Sequence, residues 1–133
     1  MKRLKIPVDE YTTPSPLTVT RDALLPEVAA LMRENGFRHV PVVEHSHPIG
    51  IISERDVKLL SGVEGTASVS AGAVMVSHPY CVESGTPLED VVLAMSRQKI
   101  GSVLVNDGGQ IVGIFTSTDA MNALVEILRG DVP

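Results

Sequence analysis

A serine and a threonine, each followed three residues later by an aspartate, close two apolar runs in this chain: GIISERD at residues 50–56 and GIFTSTD at residues 113–119. Two kinds of chemistry use these residue types at this spacing. In the first, Ser53 and Thr116 are helix N-caps and Asp56 and Asp119 fall three residues on. That is an acidic variant of the capping box, in which side chains satisfy the backbone groups left open at a helix start. The acids would also sit near the positive end of the helix dipole. In the second, the same geometry holds a nucleotide. Open N–H groups at a helix start just behind a strand suit a phosphate, and an Asp one turn in accepts from two neighbouring hydroxyls, as a ribose presents them. Gly50 and Gly113 let another backbone or a flat ring come close. Capping alone accounts for both motifs, nucleotide binding accounts for them as well, and periodicity does not choose.

The elements that must position these motifs also occur twice. A shift of 63 places aligns Pro16 with Pro79, Val19 with Val82, Leu25 with Leu88, Val28 with Val91 and Met32 with Met95. It continues through Val40 on Val103, Val42 on Val105, Gly50 on Gly113 and Asp56 on Asp119, with no gap between residues 15 and 60. A fixed shift that returns apolar residues to apolar residues marks a duplicated supersecondary unit. Each copy opens with a short extended stretch, at residues 17–19 and 80–82. A helix follows, with Leu25, Val28, Ala29 and Met32 at i, i+3, i+4 and i+7. Gly36 is its expected stop. Thr86-Pro87-Leu88-Glu89 reads as the start of the second helix: a hydroxyl cap, a proline at the first helical position and a glutamate three after the cap. Two apolar runs come next, joined by EHSH in one copy and NDGGQ in the other, and Asp107-Gly108 is a hairpin signal. A final helix starts after each S/T-x-x-D.

The predicted class is therefore α+β (α/β-like), two β-α-β-β-α repeats packed with pseudo-twofold symmetry into one module. The expected boundaries are a lead-in at residues 1–14, repeat 1 at 15–64, a small-residue, polar linker at 65–77 and repeat 2 at 78–128. Two placements fit the first 14 residues, leading into the first copy or packing across the other half.

The totals of the 133-residue chain narrow the function. A chain of this length buries about two-thirds of its unfolded surface. The net charge is −5 and Trp is absent, with two Phe and two Tyr. That argues against nucleic-acid binding, which needs a surplus of Lys and Arg on one face and aromatic platforms for bases. A single cysteine, Cys81, forms no internal disulfide and points to a reducing cytoplasm. No apolar run approaches the roughly 18 to 20 residues of a membrane span, so the expected setting is cytoplasmic, without membrane partners.

Together, FRHVPVVEHSHPIGIISERD (37–56), IGSVLVNDGGQIVGIFTSTD (100–119) and the lead-ins SPLTV and HPYCV resemble a tandem pair of CBS domains, the regulatory module named after cystathionine β-synthase. The resemblance runs from about residue 7 to 128. It implies a pseudo-twofold disc with two clefts that take an adenosine-containing ligand: AMP, ADP, ATP or S-adenosylmethionine. Carried over by position, Asp56 and Asp119 would hold ribose hydroxyls, and Ser53 and Thr116 would face ribose or phosphate. Adenine would lie among the lead-in strands, at Thr18 and Cys81, and the runs at Val40-Pro41 and Val103-Leu104. The two clefts are not expected to be equal. Arg38, His39 and Arg55 offer phosphate partners beside Asp56, whereas the aligned Gly101, Ser102 and Thr118 are uncharged. A phosphorylated adenine nucleotide is thus expected at Asp56, with the other cleft weak, empty or suited to a less charged ligand.

Other chemistries have less to stand on. His45 and His47 in EHSH are spaced as two metal ligands could be, but they align with a plain turn, and no metal site is expected. Cys81 reads as a small buried side chain without an activating base. No G-x-S-x-G, P-loop or dinucleotide fingerprint is present. The chain is therefore expected to be a non-enzymatic sensor that requires no cofactor, takes the adenine nucleotide as a regulatory ligand and reports to an effector protein of unknown identity. Apolar residues on the final helices, Val57, Leu59 and Leu60 and then Leu124, Val125, Ile127 and Leu128, predict a homodimer. The alternative is a protein-interaction or dimerisation module whose nucleotide sites are degenerate and unoccupied.

Overall fold

The computed structural model describes residues 4–14 and 17–131; Pro16, aligned above with Pro79, lies outside them. In chain order the elements are β1 (Thr13–Pro14), β2 (Val19–Thr20), α1 (Leu25–Asn35), β3 (His39–Glu44), β4 (His47–Ser53) and α2 (Glu54–Ser61). There follow α3 (Ala71–Val74), β5 (Val76–Ser77), β6 (Cys81–Glu83), α4 (Leu88–Gln98), β7 (Ser102–Asp107), β8 (Gln110–Thr116) and α5 (Ser117–Arg129). This is a mixed α+β chain carrying β-α-β-β-α twice.

Each copy is built by the same local rules. A helix carries the chain from one strand to a parallel neighbour, β2 to β3 through α1 and β6 to β7 through α4, as parallel pairing requires. The second strand then doubles back through a two-residue turn. In the second copy that turn is Gly108-Gly109 at φ 59° and 84°; in the first it is His45-Ser46 at φ 50° and 67°. Both central residues at positive φ mark the hairpin turn whose twist matches the strands. The first copy therefore pays for the same turn without glycine.

The chain divides into two compact units, one of residues 15–79 and one that joins residues 1–14 to 80–133. In the unit of residues 15–79 the sheet order is β2-β3-β4-β5, and Leu25, Val28, Met32, Val40, Val42, Ile52, Val57 and Ala71 form its core. In the other the order is β1-β8-β7-β6, and the core gathers Leu88, Val91, Met95, Val103, Val105, Phe115 and Ala123 around Ile6 and Val8.

The N-terminal segment thus belongs with the second copy, the second of the two placements the sequence allowed. The stretch expected to be a linker carries α3 and β5, which serve the first copy in the same way. The backbone bonds match at the 63-residue shift. Leu25 N–H donates to Val69 O (2.9 Å) and Leu88 N–H to Ile6 O (2.7 Å); Ala71 N–H donates to Ala23 O (2.7 Å) and Val8 N–H to Thr86 O (2.8 Å). Likewise β5 pairs antiparallel with β4, and β1 pairs antiparallel with β8.

One expected start differs. Pro87, at φ −57° and ψ 134°, is the extended residue before α4, and no side chain caps that helix. Thr86 Oγ1 instead donates to Glu83 O at 2.6 Å. Its hydroxyl closes the preceding turn and is not turned toward the N–H groups of the helix. Gly36 does end α1, in the left-handed region at φ 69°.

Candidate functional site

Both S/T-x-x-D motifs sit where strand becomes helix, β4 to α2 and β8 to α5. The hairpin register sets His39 opposite Ser53 and Ser102 opposite Thr116. The first helical residue is then tied to the residue just before the paired strand: Glu54 N–H donates to Arg38 O (2.7 Å), and Ser117 N–H to Gly101 O (3.0 Å). Both motifs cap their helices. Asp56 N–H donates to Ser53 Oγ at 3.2 Å, and Asp119 N–H to Thr116 Oγ1 at 3.3 Å.

Beyond the cap the two sites differ. Asp119 Oδ2 accepts from Thr116 N–H (2.8 Å) and from Thr116 Oγ1 (3.1 Å), so the capping box is closed from both sides. Thr13 Oγ1, in β1, donates to the same carboxylate, 3.2 Å from Oδ1 and 3.4 Å from Oδ2. At Asp56 only the backbone half of the box is made. Among the described residues no hydrogen bond reaches the Asp56 carboxylate, and no ion pair engages Arg38 or Arg55. Arg38 and Arg55 are exposed and His39 is half-buried. A half-buried carboxylate with open acceptors thus stands on α2, next along the helix from the exposed Arg55, with His39 at the start of the paired strand and Arg38 just before it.

The glycines of the two strands are filled by protein. A Cβ on Gly113 would meet Thr13 O at 2.7 Å and also collide with Thr12 Cγ2; one on Gly50 would meet Met75 Cγ at 2.7 Å. Close approach is the role the sequence assigned to these glycines, and in each unit the approaching chain is the segment leading into or forming the edge strand, β1 or β5. Thr12, Thr13, Met75 and Val76 were not among the sequence candidates. The 63-residue shift runs through them, but the aligned pairs share no chemistry that would draw the eye.

The remaining candidates fall into three places. Val40 and Val103 are fully buried and face the cores, while Pro41 and Leu104 are as deeply buried outside those clusters, as strand alternation dictates. Thr18 and Thr118 are exposed and Ser102 is half-buried. Cys81 is exposed on β6, a correction to the buried side chain expected; β6 is the edge strand of its sheet, paired among the described residues with β7. Partial burial of the thiol nevertheless pushes its pKa up, against a smaller opposing effect of Asn106, so it stays protonated and weakly nucleophilic at neutral pH. Among the described residues no group of three or more His, Cys, Asp or Glu is placed to hold a metal ion. No helix there is long and apolar enough to cross a membrane.

With this geometry in hand, comparison with known proteins is direct. A family model for the CBS domain matches residues 8–61 and again residues 71–126. A Methanocaldococcus jannaschii protein of uncharacterised function is 33% identical over 123 residues, 89% of this chain, which spans only 28% of that protein's length. Among solved structures, AcuB of Vibrio cholerae, named for acetoin utilization, superposes with a TM-score of 0.75 at 27% identity, covering 95% of each chain. Two further neighbours share the fold at lower identity. One is CBSX2, from Arabidopsis thaliana, in complex with AMP (TM-score 0.71, 23% identity, 92% of this chain and 98% of that one). The other is the CBS domain pair of MJ0100 in complex with 5′-methylthioadenosine and S-adenosyl-L-methionine (TM-score 0.76, 22% identity, 97% and 100%). Both repeats matched by the family model begin at the segments that the structure assigns to the opposite copy's side of the chain, at residues 8 and 71.

Proposed function

The chain belongs to the CBS-domain family, and from that premise we propose that it is a non-enzymatic regulatory module that senses an adenosine-containing ligand. AMP, ADP, ATP and S-adenosylmethionine are the candidates, since two fold neighbours hold members of that class. The observation that carries the reading is the Asp56 carboxylate: half-buried, at a helix start, without a hydrogen-bond donor among the described residues, and near Arg38, His39 and Arg55. A vicinal diol supplies the two donors that such a carboxylate lacks, and charge-assisted bonds of this kind are about twice as strong as neutral ones. The three cationic or titratable side chains offer contacts to phosphate. Asp56 is accordingly the main site, with Ser53, Arg55, Arg38 and His39 around the ligand. Asp119, with Thr116, Thr118 and Ser102, is a weaker site or one for a less charged ligand. The setting we assign is the cytoplasm, and the output is passed to an effector protein.

The test is thermal unfolding with each ligand beside Asp56→Ala and Asp119→Ala. A ligand at 100 times its Kd adds about 2.7 kcal/mol, a midpoint rise of several degrees at this size. Asp56→Ala should remove most of it, leaving the weaker Asp119 site, and Asp119→Ala should leave most of it. If no ligand shifts any variant, the motifs are helix caps only.

That outcome would favour a second reading, a dimerisation or protein-interaction module with unoccupied sites, and one observation supports it independently. Met121, Leu124, Val125 and Leu128 recur at i, i+3, i+4 and i+7 on α5 and are 58%, 54%, 44% and 76% exposed. Of the other apolar residues expected on the final helices, Leu59 is exposed, Leu60 and Ile127 are half-buried, and Val57 is in the core. An apolar stripe of this length on a helix marks an interface, and we propose a homodimer through it. Light scattering should give twice the chain mass, and Leu124→Lys with Leu128→Lys should give the monomer; a wild-type monomer would rule the dimer out.

A further inference from the structure

The two acids are alike in sequence and unlike in engagement: Asp119 closes its capping box with Thr116 and Asp56 does not close its own with Ser53, and a further difference is one residue on the edge strand beside each. At Asp119 that residue is Thr13, whose hydroxyl reaches both carboxylate oxygens at 3.2 and 3.4 Å. The 63-residue shift puts Val76 at the matching place on β5: Thr13 pairs with Ile114, and Val76 pairs with Ile51. The valine side chain has no donor, so position 76 offers Asp56 no counterpart of the Thr13 hydroxyl. A ligand hydroxyl arriving at Asp119 meets acceptors already shared among Thr116 N–H, Thr116 Oγ1 and Thr13 Oγ1.

We propose that Thr13 is a latch on Asp119, a residue that sets the ligand preference of the second site and couples its occupancy to release of the N-terminal strand. The proposal rests on the reading that these acids receive ribose hydroxyls. The backbone and Thr116 bonds belong to the cap and survive ligand binding. The Thr13 bond is the one that a diol can replace. β1 is only two residues long, joined to β8 at Thr13↔Ile114 and Pro14↔Gly113. Losing the Thr13 hydroxyl bond therefore removes a large share of what holds this end of the segment, and short exposed strands open at low free energy. The rest of the segment stays anchored: Asp9 accepts from Ser84 Oγ (2.5 Å) and Gly85 N–H (2.6 Å), and Val8 lies in the core. The movement is thus confined to residues near Thr13. Position 76 gives the converse: a threonine there should latch Asp56.

The experiment is calorimetric titration of the full chain with AMP, and in parallel with S-adenosylmethionine, in an Asp56→Ala background that isolates Asp119. Thr13→Val, which keeps the side chain's shape, should tighten binding there by about threefold to tenfold, the worth of one displaced hydrogen bond. Val76→Thr in an otherwise unchanged chain should weaken the Asp56 site by a similar factor. Hydrogen exchange gives a second readout that needs no ligand: Thr13→Val should speed exchange of the amides near residues 12–14 and leave β3–β4 unchanged. Unchanged or weaker ligand binding by Thr13→Val, with Asp56→Ala still binding, overturns the latch and leaves the sensor reading intact. If no variant and no wild-type chain binds either ligand, the sensor reading fails and the latch fails with it, whatever the exchange shows. Faster exchange together with tighter binding sustains both.

Discussion

Single side chains tie the N-terminal segment to the second copy, and one of them makes its hold depend on pH. Tyr11 OH donates to Glu126 Oε2 at 2.6 Å. That bond first, and then burial and the negative charge of Glu126, push the phenol from its ordinary value of 10.0 up to about 12. A group held above its unfolded pKa stabilises the fold fully at low pH. Between pH 10 and about 12 the unfolded phenol ionises while the folded one stays protonated, so the contribution falls through that window and is gone above it. The urea midpoint of the wild type should therefore drop more steeply from pH 10 upward than that of Tyr11→Phe, and the two should converge near pH 12. Parallel curves would show that the bond carries no pH dependence. Asp9 works in the opposite direction. Ser84 first, and then the Gly85 N–H, hold its carboxyl below 3.8. Its contribution is present above that pH and is lost as the pH falls through the lowered value.

At the scale of elements, the duplication shows what each copy can do without. α1 and α4 both end in a left-handed residue, but it is Gly36 at φ 69° in one and Lys99 at φ 56° in the other. A non-glycine residue there costs about 1 to 2 kcal/mol relative to its helical conformation. Lys99→Gly should raise stability by about 1 kcal/mol, less the entropy glycine adds to the unfolded chain, read as a higher urea midpoint at unchanged slope. A lower midpoint would mean that the lysine side chain makes contacts that outweigh the strain. The helices, both hairpins and the S/T-x-x-D junctions were legible in the sequence because each rests on a local rule: apolar spacing, paired positive-φ residues in a two-residue turn, and a cap. The Thr86 cap was misread because the same hydroxyl also suits the turn ending at Glu83, and a local pattern cannot rank two local partners. Cys81 was misplaced for a different reason. Its alignment with Thr18 says that it lies in a lead-in strand, but whether an edge strand is covered depends on chain distant in sequence. The asymmetry of Asp56 and Asp119 was partly legible: the charges at Arg38, His39 and Arg55 were visible, while the Thr13 contact spans 106 residues and left no local trace.

At the scale of the whole molecule, the repeat is closed by exchange. Each copy lacks the short turn and edge strand that finish its own core and takes them from the segment preceding the other copy. Ile6 and Val8, 7% and 0% exposed, fill the core that Leu88, Val91 and Phe115 begin, as Ala71 fills the core of the first copy. Residues 4–14 are therefore structural for residues 80–131, although 65 residues separate the two stretches. Removing Ile6 and Val8 exposes two apolar side chains' worth of core, each worth about 1.5 to 3 kcal/mol. Loss of the segment also leaves Thr86 O, Leu88 N–H and Gly85 N–H without the partners they now have in Val8 N–H, Ile6 O and Asp9 Oδ1. A chain beginning at residue 15 should accordingly lose several kcal/mol, a large part of the roughly 5 to 15 kcal/mol typical of domains. The loss should be uneven: hydrogen exchange should quicken across β6, α4, β7 and β8 and change least in β3, β4 and α1, whose core is complete within residues 17–79. A milder variant, Val8→Ala, should give the same pattern at about 1 to 2 kcal/mol. If truncation quickened both units alike, the N-terminal segment would be stabilising the chain through something other than the core it fills. If it quickened neither, residues 80–131 would hold their core without Ile6 and Val8, and the exchange of segments between the copies would carry no energetic weight.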